Sequence, residues 1–131
     1  MDAASFAAAD RKNVVSSDIH LWKSRKKYVK IGHEVKRMIR HIVMWKFREG
    51  TEARAEEFLT GLAALQGKIG CIRSMTVERS AVKDSAYDAV LISEFDSLED
   101  VAAYKNDPRH RAVAAICAEI RTARCAIDTE I

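Results

Sequence analysis

The sequence predicts an α+β fold, because segments with the period of a strand and segments with the period of a helix follow one another in a defined order. Four segments alternate apolar and polar residues, and the regions between them repeat apolar residues at helical spacing. The only proline, Pro108, divides the second helical region after Asp107, as expected for a helix that begins there. The resulting order, β-α-β-β-α-β, is that of the split βαβ or ferredoxin-like arrangement.

The first half of this pattern predicts a strand over 38–47, one face of which carries Ile39, His41, Val43, Trp45 and Phe47. Thr51 is expected to cap the following helix, and Gly67 to stop it. The apolar stripe of that helix consists of Ala55, Phe58, Leu59, Leu62 and Leu65. Residues 71–79 and 87–95 alternate as the second and third strands.

The second half predicts a short helix that starts at Ser97, a longer helix from Pro108 to Ile120, and a last strand over 124–130. Right-handed crossovers would place the helices on one face of the sheet. The opposite face would then expose apolar side chains, namely Ile42, Met44, Val90 and Ile92. Exposed apolar patches of this kind mark interfaces, so the sequence predicts a homodimer through the open sheet face.

Length and charge limit the classes of function. A chain of 131 residues with 48% hydrophobic residues can form one domain with a core, and no apolar run reaches the roughly 18 residues of a membrane span. Residues 1–37 hold nine Lys/Arg and four acids, whereas residues 38–131 have a net charge of −2. The domain therefore gives no electrostatic reason to expect nucleic acid or membrane partners. Residues 1–37 are interpreted as a basic extension outside the fold, with Met38 as the natural start, or as an arm that binds a partner.

Residue types also limit the chemistry. Three cysteines, Cys71, Cys117 and Cys125, are an odd number without metal-ligand spacing, which is typical of reduced thiols in a cytoplasmic protein. The scattered histidines and acids predict no metal, and the sequence has no Ser/His/Asp set or phosphate-binding glycine loop. We therefore expect no cofactor.

The segment 104–110 is the strongest candidate for chemistry. Asp107 can accept from free N–H groups of the helix that Pro108 begins, and His110 falls in the first turn. The helix dipole disfavours a positive charge there, so a neutral imidazole could act as a base near pH 7. Tyr104 precedes this turn. The alternative interpretation is structural: a capped turn with a paired histidine and a core aromatic residue.

Four blocks of the sequence, 38–47, 87–95, 104–110 and 126–131, together resemble the stress-responsive dimeric α/β-barrel (Dabb) domain family. The resemblance covers about residues 38–131. The family includes plant heat-stable and stress-induced proteins and a polyketide cyclase, olivetolic acid cyclase. The resemblance implies a ferredoxin-like protomer that forms a dimeric α/β barrel. It also allows a cation at the carbonyls near Gln66, Ile69 and Ile72.

The resemblance implies three catalytic residues. His41 matches the histidine on the first strand of the cyclase, Tyr104 matches its tyrosine, and His110 matches the second histidine of its His-Pro-x-His turn. In this role His110 would remove a proton next to a carbonyl, Tyr104 would donate to the developing oxyanion, and His41 would orient a partner. Asp107 stands where the cyclase has the first histidine of the turn, which is a departure from the family pattern.

The same resemblance implies an apolar cavity for a small apolar or aromatic ligand, lined by Val43, Trp45, Leu59, Leu62 and Tyr104. Leu59 and Leu62 replace aromatic residues of the cyclase and Trp45 adds bulk, so the substrate is expected to differ. Two alternatives stay open. The protein could be a non-catalytic, stress-associated structural or assembly protein, or a cofactor-free monooxygenase of the antibiotic-biosynthesis type.

Overall fold

The computed structural model describes residues 28–31 and 34–131. The strands are β1 Tyr28–Ile31, β2 Glu34–Arg37, β3 Ile39–Phe47, β4 Ser74–Arg79, β5 Ala89–Phe95 and β6 Arg121–Glu130. The helices are α1 Glu52–Ala63, α2 Leu98–Asn106 and α3 Pro108–Ile120.

Strands β3 to β6 form one antiparallel sheet in the order β4-β5-β3-β6. From β3 onwards the elements follow the predicted β-α-β-β-α-β order, with the second helical region divided into α2 and α3. The predicted ferredoxin-like protomer is therefore confirmed. Strands β1 and β2 form a separate two-stranded antiparallel sheet that the sequence analysis did not predict. The predictions for residues 1–27 lie outside the described residues.

The core lies between one face of this sheet and the helices. Along β3 burial alternates strictly, so the predicted inner face of Ile39, His41, Val43 and Trp45 is buried while the residues between them are partly exposed. From the predicted stripe, Phe58, Leu59 and Leu62 of α1 pack against it, and Leu65, which follows the end of α1, joins the same core. Burial of one such aliphatic side chain stabilises a fold by about 1.5–3 kcal/mol, so this alternation fixes which face of β3 turns towards the helices.

Four strand starts differ from the prediction, that of β3 by only one residue, at Ile39 in place of Met38. β4 begins at Ser74, because residues 64–73 form successive turns in which Leu65 O accepts from Ile69 N and Ile69 O accepts from Ile72 N. Ile72 is still buried, which explains its strand-like pattern. β5 begins at Ala89. β6 begins at residue 121, directly after α3, because its pairing with β3 continues to that residue past an irregularity at Lys46 and Phe47.

The helix starts show where side-chain caps form. Asp107 accepts from Arg109 N at 2.9 Å and Ser97 accepts from Asp100 N at 3.1 Å, so both predicted caps are confirmed. Thr51 precedes α1 but makes no such bond. Its backbone is not extended, and its hydroxyl donates instead to the Arg48 carbonyl oxygen at 2.5 Å. The prediction of a Thr51 cap was therefore wrong.

Arg109 connects the Asp107 turn to the turns that follow α1. The Arg109 guanidinium donates to both Asp107 carboxylate oxygens and, at 2.6 Å, to the Lys68 carbonyl oxygen. These hydrogen bonds from the Arg109 side chain and backbone lower the pKa of Asp107 to about 2. A protein cation thus lies beside the turn that was considered for a bound cation, and it fixes the segment that leads into α3.

Candidate functional site

His41 occupies the buried face of the central strand β3, with 2% of its surface exposed. The antiparallel register places it opposite Asp128 of β6, and its Nδ1 donates to Asp128 Oδ1 at 2.6 Å. Burial lowers the pKa of His41, and the hydrogen bond to Asp128 partly opposes that shift. A neutral His41 that donates through Nδ1 carries its lone pair on Nε2.

His110 lies in the first turn of α3, as predicted, and its ring is held by the end of α2. Its Nδ1 is 3.1 Å from the Lys105 carbonyl oxygen. Because a carbonyl oxygen only accepts, Nδ1 must carry the proton, and the neutral ring has its lone pair on Nε2. Burial is the main cause that lowers the pKa of His110. The imidazole is therefore neutral near pH 7 and can accept a proton.

Tyr104 lies between the two histidines. Its ring centroid is 4.4 Å from that of His110 and 6.2 Å from that of His41. Only 1% of the residue is exposed, and its hydroxyl has no hydrogen-bond partner in the described part of the chain. Burial raises the pKa of Tyr104, so the phenol keeps its proton. The site thus offers an O–H donor beside two imidazole nitrogens.

A cavity of about 80 Å³ lies between the sheet and the helices at this point. Its lining consists of His41, Val43, Trp45, Phe58, Leu62, Leu91, Tyr104, Lys105, His110, Ala114, Cys117, Arg121 and Arg124. The lining includes all three predicted catalytic residues. Lys105, Arg121 and Arg124 are exposed, and they mark the opening of the cavity to solvent.

The predicted ligand-binding residues divide into two groups. Val43, Trp45, Leu62 and Tyr104 line the cavity, whereas Leu59 does not. Leu59 is buried in the core and borders a separate surface depression beside Val77 of β4. One step along a helix turns a side chain by about 100°, which separates Leu59 from its neighbour Phe58 in the cavity wall.

Sequence reasoning missed the partner of His41 and the charged opening. Asp128 is identifiable as a partner only once the β3–β6 register is known, because 87 positions separate the two residues. Lys105 comes from α2, whereas Arg121 and Arg124 come from β6, so the proximity of the three cations is a tertiary effect. A weaker signal existed in β6, where the alternate residues 124, 126 and 128 share one face.

The described residues contain no candidate metal site, disulfide or membrane-spanning helix. No group of three or more His, Cys, Asp or Glu side chains is placed there to hold a metal ion. All three cysteines are free. Over the same part of the chain, no helix is both long and apolar enough to cross a bilayer.

The sheet order and the cavity define a ferredoxin-like α+β domain with a histidine- and tyrosine-lined cavity between sheet and helices. The stress responsive A/B barrel domain (Dabb) matches residues 39–131, which is most of the chain, and the chain therefore belongs to this family. The resemblance inferred from the four sequence blocks is confirmed. The comparison with curated proteins finds no match.

Solved structures share this fold. A dimeric ferredoxin-like protein of unknown function from Bacteroides fragilis is 32% identical, with a TM-score of 0.67 over 72% of this chain and 96% of that one. A dimeric ferredoxin-like protein from Thermobifida fusca is 23% identical, with a TM-score of 0.66 over 79% and 99%. A hydroxynitrile lyase from Passiflora edulis is 13% identical, with a TM-score of 0.65 over 72% and 94%, a likeness of fold alone.

Proposed function

We propose that this Dabb protein binds a small carbonyl compound in its cavity and transfers a proton with His110 as the base. The observation that carries the proposal is the Tyr104 hydroxyl, which is buried in the cavity wall without a hydrogen-bond partner among the described residues. An unpaired buried donor costs about 1–3 kcal/mol. A ligand oxygen that accepts from this hydroxyl would recover that energy, which favours ligand binding over a purely structural role.

The proposed step is the removal of a proton from the carbon next to the ligand carbonyl. His110 Nε2 takes the proton, the C–H electron pair forms the C=C bond, and the carbonyl electron pair moves to oxygen. Tyr104 donates its O–H to that oxygen as negative charge develops there. The imidazolium then returns the proton to the enolate or to a leaving group, so no external oxidant or reductant is required. This is cyclase- or lyase-type acid–base chemistry.

His41 is proposed as a positioning residue. Its hydrogen bond to Asp128 holds the imidazole ring in one orientation, and Ser93 Oγ donates to the His41 carbonyl oxygen at 3.1 Å. With its Nδ1 proton held by a carboxylate, His41 has an acceptor at Nε2, and its ring lies 6.2 Å from that of Tyr104. It can therefore orient the ligand or a water molecule without competing for the role of base.

The size of the cavity restricts the ligand. A cavity of about 150 Å³ can hold one benzene molecule, so about 80 Å³ admits only a small part of an aromatic compound. We infer that the carbonyl segment enters and the remainder of the ligand lies at the opening. The small cavity argues against assigning the bulky polyketide substrate of the cyclase to this protein. The side chain of Trp45, which occupies part of the wall, agrees with this.

The protein is further proposed to act as a homodimer through the open face of its sheet. That face carries an unbroken apolar row across three strands, Ile92, Ile42 and Ile127, and Ile127 is 56% exposed. Solved relatives from Bacteroides fragilis and Thermobifida fusca are described as dimeric. On the same face, Arg40 pairs with Glu94 beside this apolar row.

The proposal is tested with benzylacetone, a neutral ketone with exchangeable hydrogens beside its carbonyl. Proton NMR in D₂O measures the rate at which those hydrogens are replaced by deuterium. We expect catalysis by the wild-type protein and a loss of at least about 100-fold in His110→Gln, which removes the base. Thermal-shift measurements should show stabilisation by benzylacetone that is weaker in Tyr104→Phe.

His20→Gln is the matched control, because it removes a histidine that lies outside the family-matched residues 39–131. Its exchange rate should equal that of the wild type. Equal rates in wild type and His110→Gln would contradict the role of His110 as the base. Binding without any exchange would leave a ligand-binding protein and remove the catalytic part of the proposal.

A further inference from the structure

Three positive side chains surround the opening of the cavity: Lys105, Arg121 and Arg124. They are exposed, and none of them forms an ion pair within the described part of the chain. By contrast, Arg73 and Arg109 elsewhere on the domain are paired with Asp96 and Asp107. The carboxylate of Asp128, which faces the cavity residue His41, is hydrogen-bonded to that histidine.

This concentration of positive charge is not a consequence of composition. Residues 38–131 contain 13 Lys/Arg and 15 acids, so the domain as a whole is slightly negative. The three cations nevertheless lie together at the cavity opening, although they come from the end of α2, the end of α3 and the first half of β6. A local field of one sign at a cleft raises the local concentration of ligands of the opposite charge.

Arg124 is the cation best placed to act on a bound ligand. It pairs with Trp45 across β3 and β6, and it shares the inner face of β6 with Asp128. Burial is the main cause that lowers the pKa of His110, and the positive charge of Arg124 lowers it further. The same charge also opposes the burial-induced rise in the pKa of Tyr104. The guanidinium therefore interacts electrostatically with both proposed reacting groups.

A structural explanation exists for two of these cations but not for the third. Lys105 lies in the last turn of α2 and Arg121 follows the last residue of α3, where positive charges interact favourably with helix dipoles. Arg124 lies inside a strand and has no helix end to stabilise. Arg124 is therefore the cation whose position no helix dipole explains, and a negatively charged ligand would provide its partner.

We infer that the ligand is an anionic carbonyl compound, an oxo-acid whose carboxylate binds Arg124 at the opening while its ketone reaches Tyr104 and His110. This inference rests on the proposed function and specifies its substrate class. Arginine binds carboxylates through two parallel hydrogen bonds, which would also fix the direction in which the ligand enters. Neutralisation of the Arg124 charge by the carboxylate would make His110 a stronger base in the complex than in the free protein.

The test compares levulinate with its neutral amide, levulinamide, because the two probes share the same ketone and differ in charge. Dissociation constants are measured from the shifts of the imidazole C–H resonances of the full chain at low ionic strength. We expect levulinate to bind about tenfold more tightly than levulinamide, as for one charge-assisted hydrogen-bonded pair. In Arg124→Met this advantage should disappear, and in Arg124→Lys most of it should remain.

Lys83→Met is the control, because it removes one positive charge from an exposed residue that does not line the cavity. It should retain the full advantage of levulinate. Equal affinity for both probes in the wild type, or an unchanged advantage in Arg124→Met, would overturn the inference and leave the proposed ketone binding intact. Failure of both probes and of benzylacetone to bind would instead contradict the proposed function.

Discussion

The two faces of the main sheet are built from alternate residues of the same strands but have opposite chemistry. The inner face of β3 places His41 among fully buried residues, whereas the outer face carries Ile42 and Met44, which are only partly buried. Across β3 and β6, His41 meets a carboxylate, and the adjacent pair joins Ile42 to Ile127. The buried polar pair thus lies on the inner face, and the outer face carries a row of partly exposed isoleucines beside the Arg40–Glu94 ion pair. This apolar row favours a fold whose outer face is covered by a second protein surface.

The largest expected effect concerns the outer face. Ile92→Glu places a carboxylate in the apolar row, between Ile42 and Thr76. Because burial of an unpaired carboxylate costs several kcal/mol, we expect the dimer dissociation constant to rise more than about 100-fold. Sedimentation velocity at micromolar concentration should then show a monomer of 14.7 kDa.

Val82→Glu provides the comparison for that variant, since Val82 is an apolar residue that is 66% exposed and lies outside the sheet. The Val82 variant should sediment like the wild type. A wild-type protein that is monomeric, or an Ile92→Glu variant that remains dimeric, would show that the outer face is not the interface.

The next effect compares two buried hydroxyls on the inner side. Tyr104→Phe removes a hydroxyl without a hydrogen-bond partner among the described residues, so unfolding in urea should show stability within about 1 kcal/mol of the wild type or higher. Its affinity for benzylacetone should fall about tenfold. Ser93→Ala removes a hydroxyl that donates to the His41 carbonyl oxygen and should cost about 1–2 kcal/mol.

A loss of stability in Tyr104→Phe as large as that in Ser93→Ala would indicate that the tyrosine hydroxyl has a structural partner. Such a result would remove the observation on which the proposed function depends. The two variants therefore distinguish a hydroxyl that holds the fold from one that is available to a ligand.

A smaller effect is expected from pH. Burial lowers the pKa of both His41 and His110 in the folded state, below the value of about 6.5 in the unfolded chain. The unfolded state therefore binds more protons between the folded and unfolded pKa values, and stability must fall as pH decreases below about 6.5. The slope is at most about 1.4 kcal/mol per pH unit for each histidine.

Urea unfolding at pH 7, 6 and 5 measures this slope. In the double variant His41→Gln/His110→Gln, the free energy of unfolding should change less steeply with pH over this range than in the wild type. Asp128, which faces His41, opposes the shift, whereas Lys105 and Arg124 reinforce it. The depressed pKa of Asp107 affects stability mainly between its unfolded value of about 4 and its folded value of about 2, and so does not account for a change between pH 7 and 5.

The smallest effect is expected from deletion of the N-terminal residues 1–37. We propose that residues 1–37 are an extension of the domain, since β1 and β2 pair with each other and not with the main sheet. The ion pair of Arg37 with Glu130 is exposed and contributes little. Deletion of residues 1–37 should leave the dimeric state unchanged in sedimentation velocity, and it should change the free energy of unfolding by no more than about 1 kcal/mol. A large change in either would assign the extension to the fold.

The sequence predicted the elements that repeat a simple period. The alternation of β3, the stripe of α1 and the Asp107–Pro108 start of α3 were sufficient for the order of elements and for the inner face that carries His41. The prediction failed in segments whose buried residues follow no regular period. Ile72 is buried by a turn rather than by a strand, and hydrophobic alternation cannot distinguish the two cases.

The candidate site was predictable only in part, for a related reason. The capped segment 104–110 indicated Tyr104 and His110, the family resemblance added His41 and the three roles, and the structure brings all three residues to one cavity. Asp128 and Arg124 could not be assigned from local pattern, because their positions depend on the pairing of strands that are distant in sequence. Charged residues at the cavity opening are brought together by strand pairing, and no periodic pattern in the sequence marks them.

The central position of β3 has a consequence for how the domain acquires its fold during synthesis. β3 is the first strand of the main sheet to be made, and β6, which covers one of its edges, is the last. Until β6 is available, His41 lacks its carboxylate and one edge of β3 has free N–H and C=O groups. Unpaired edges of this kind promote association with other chains, so incomplete synthesis products should be prone to aggregation. The strand that completes the site is therefore also the strand that protects the nascent domain.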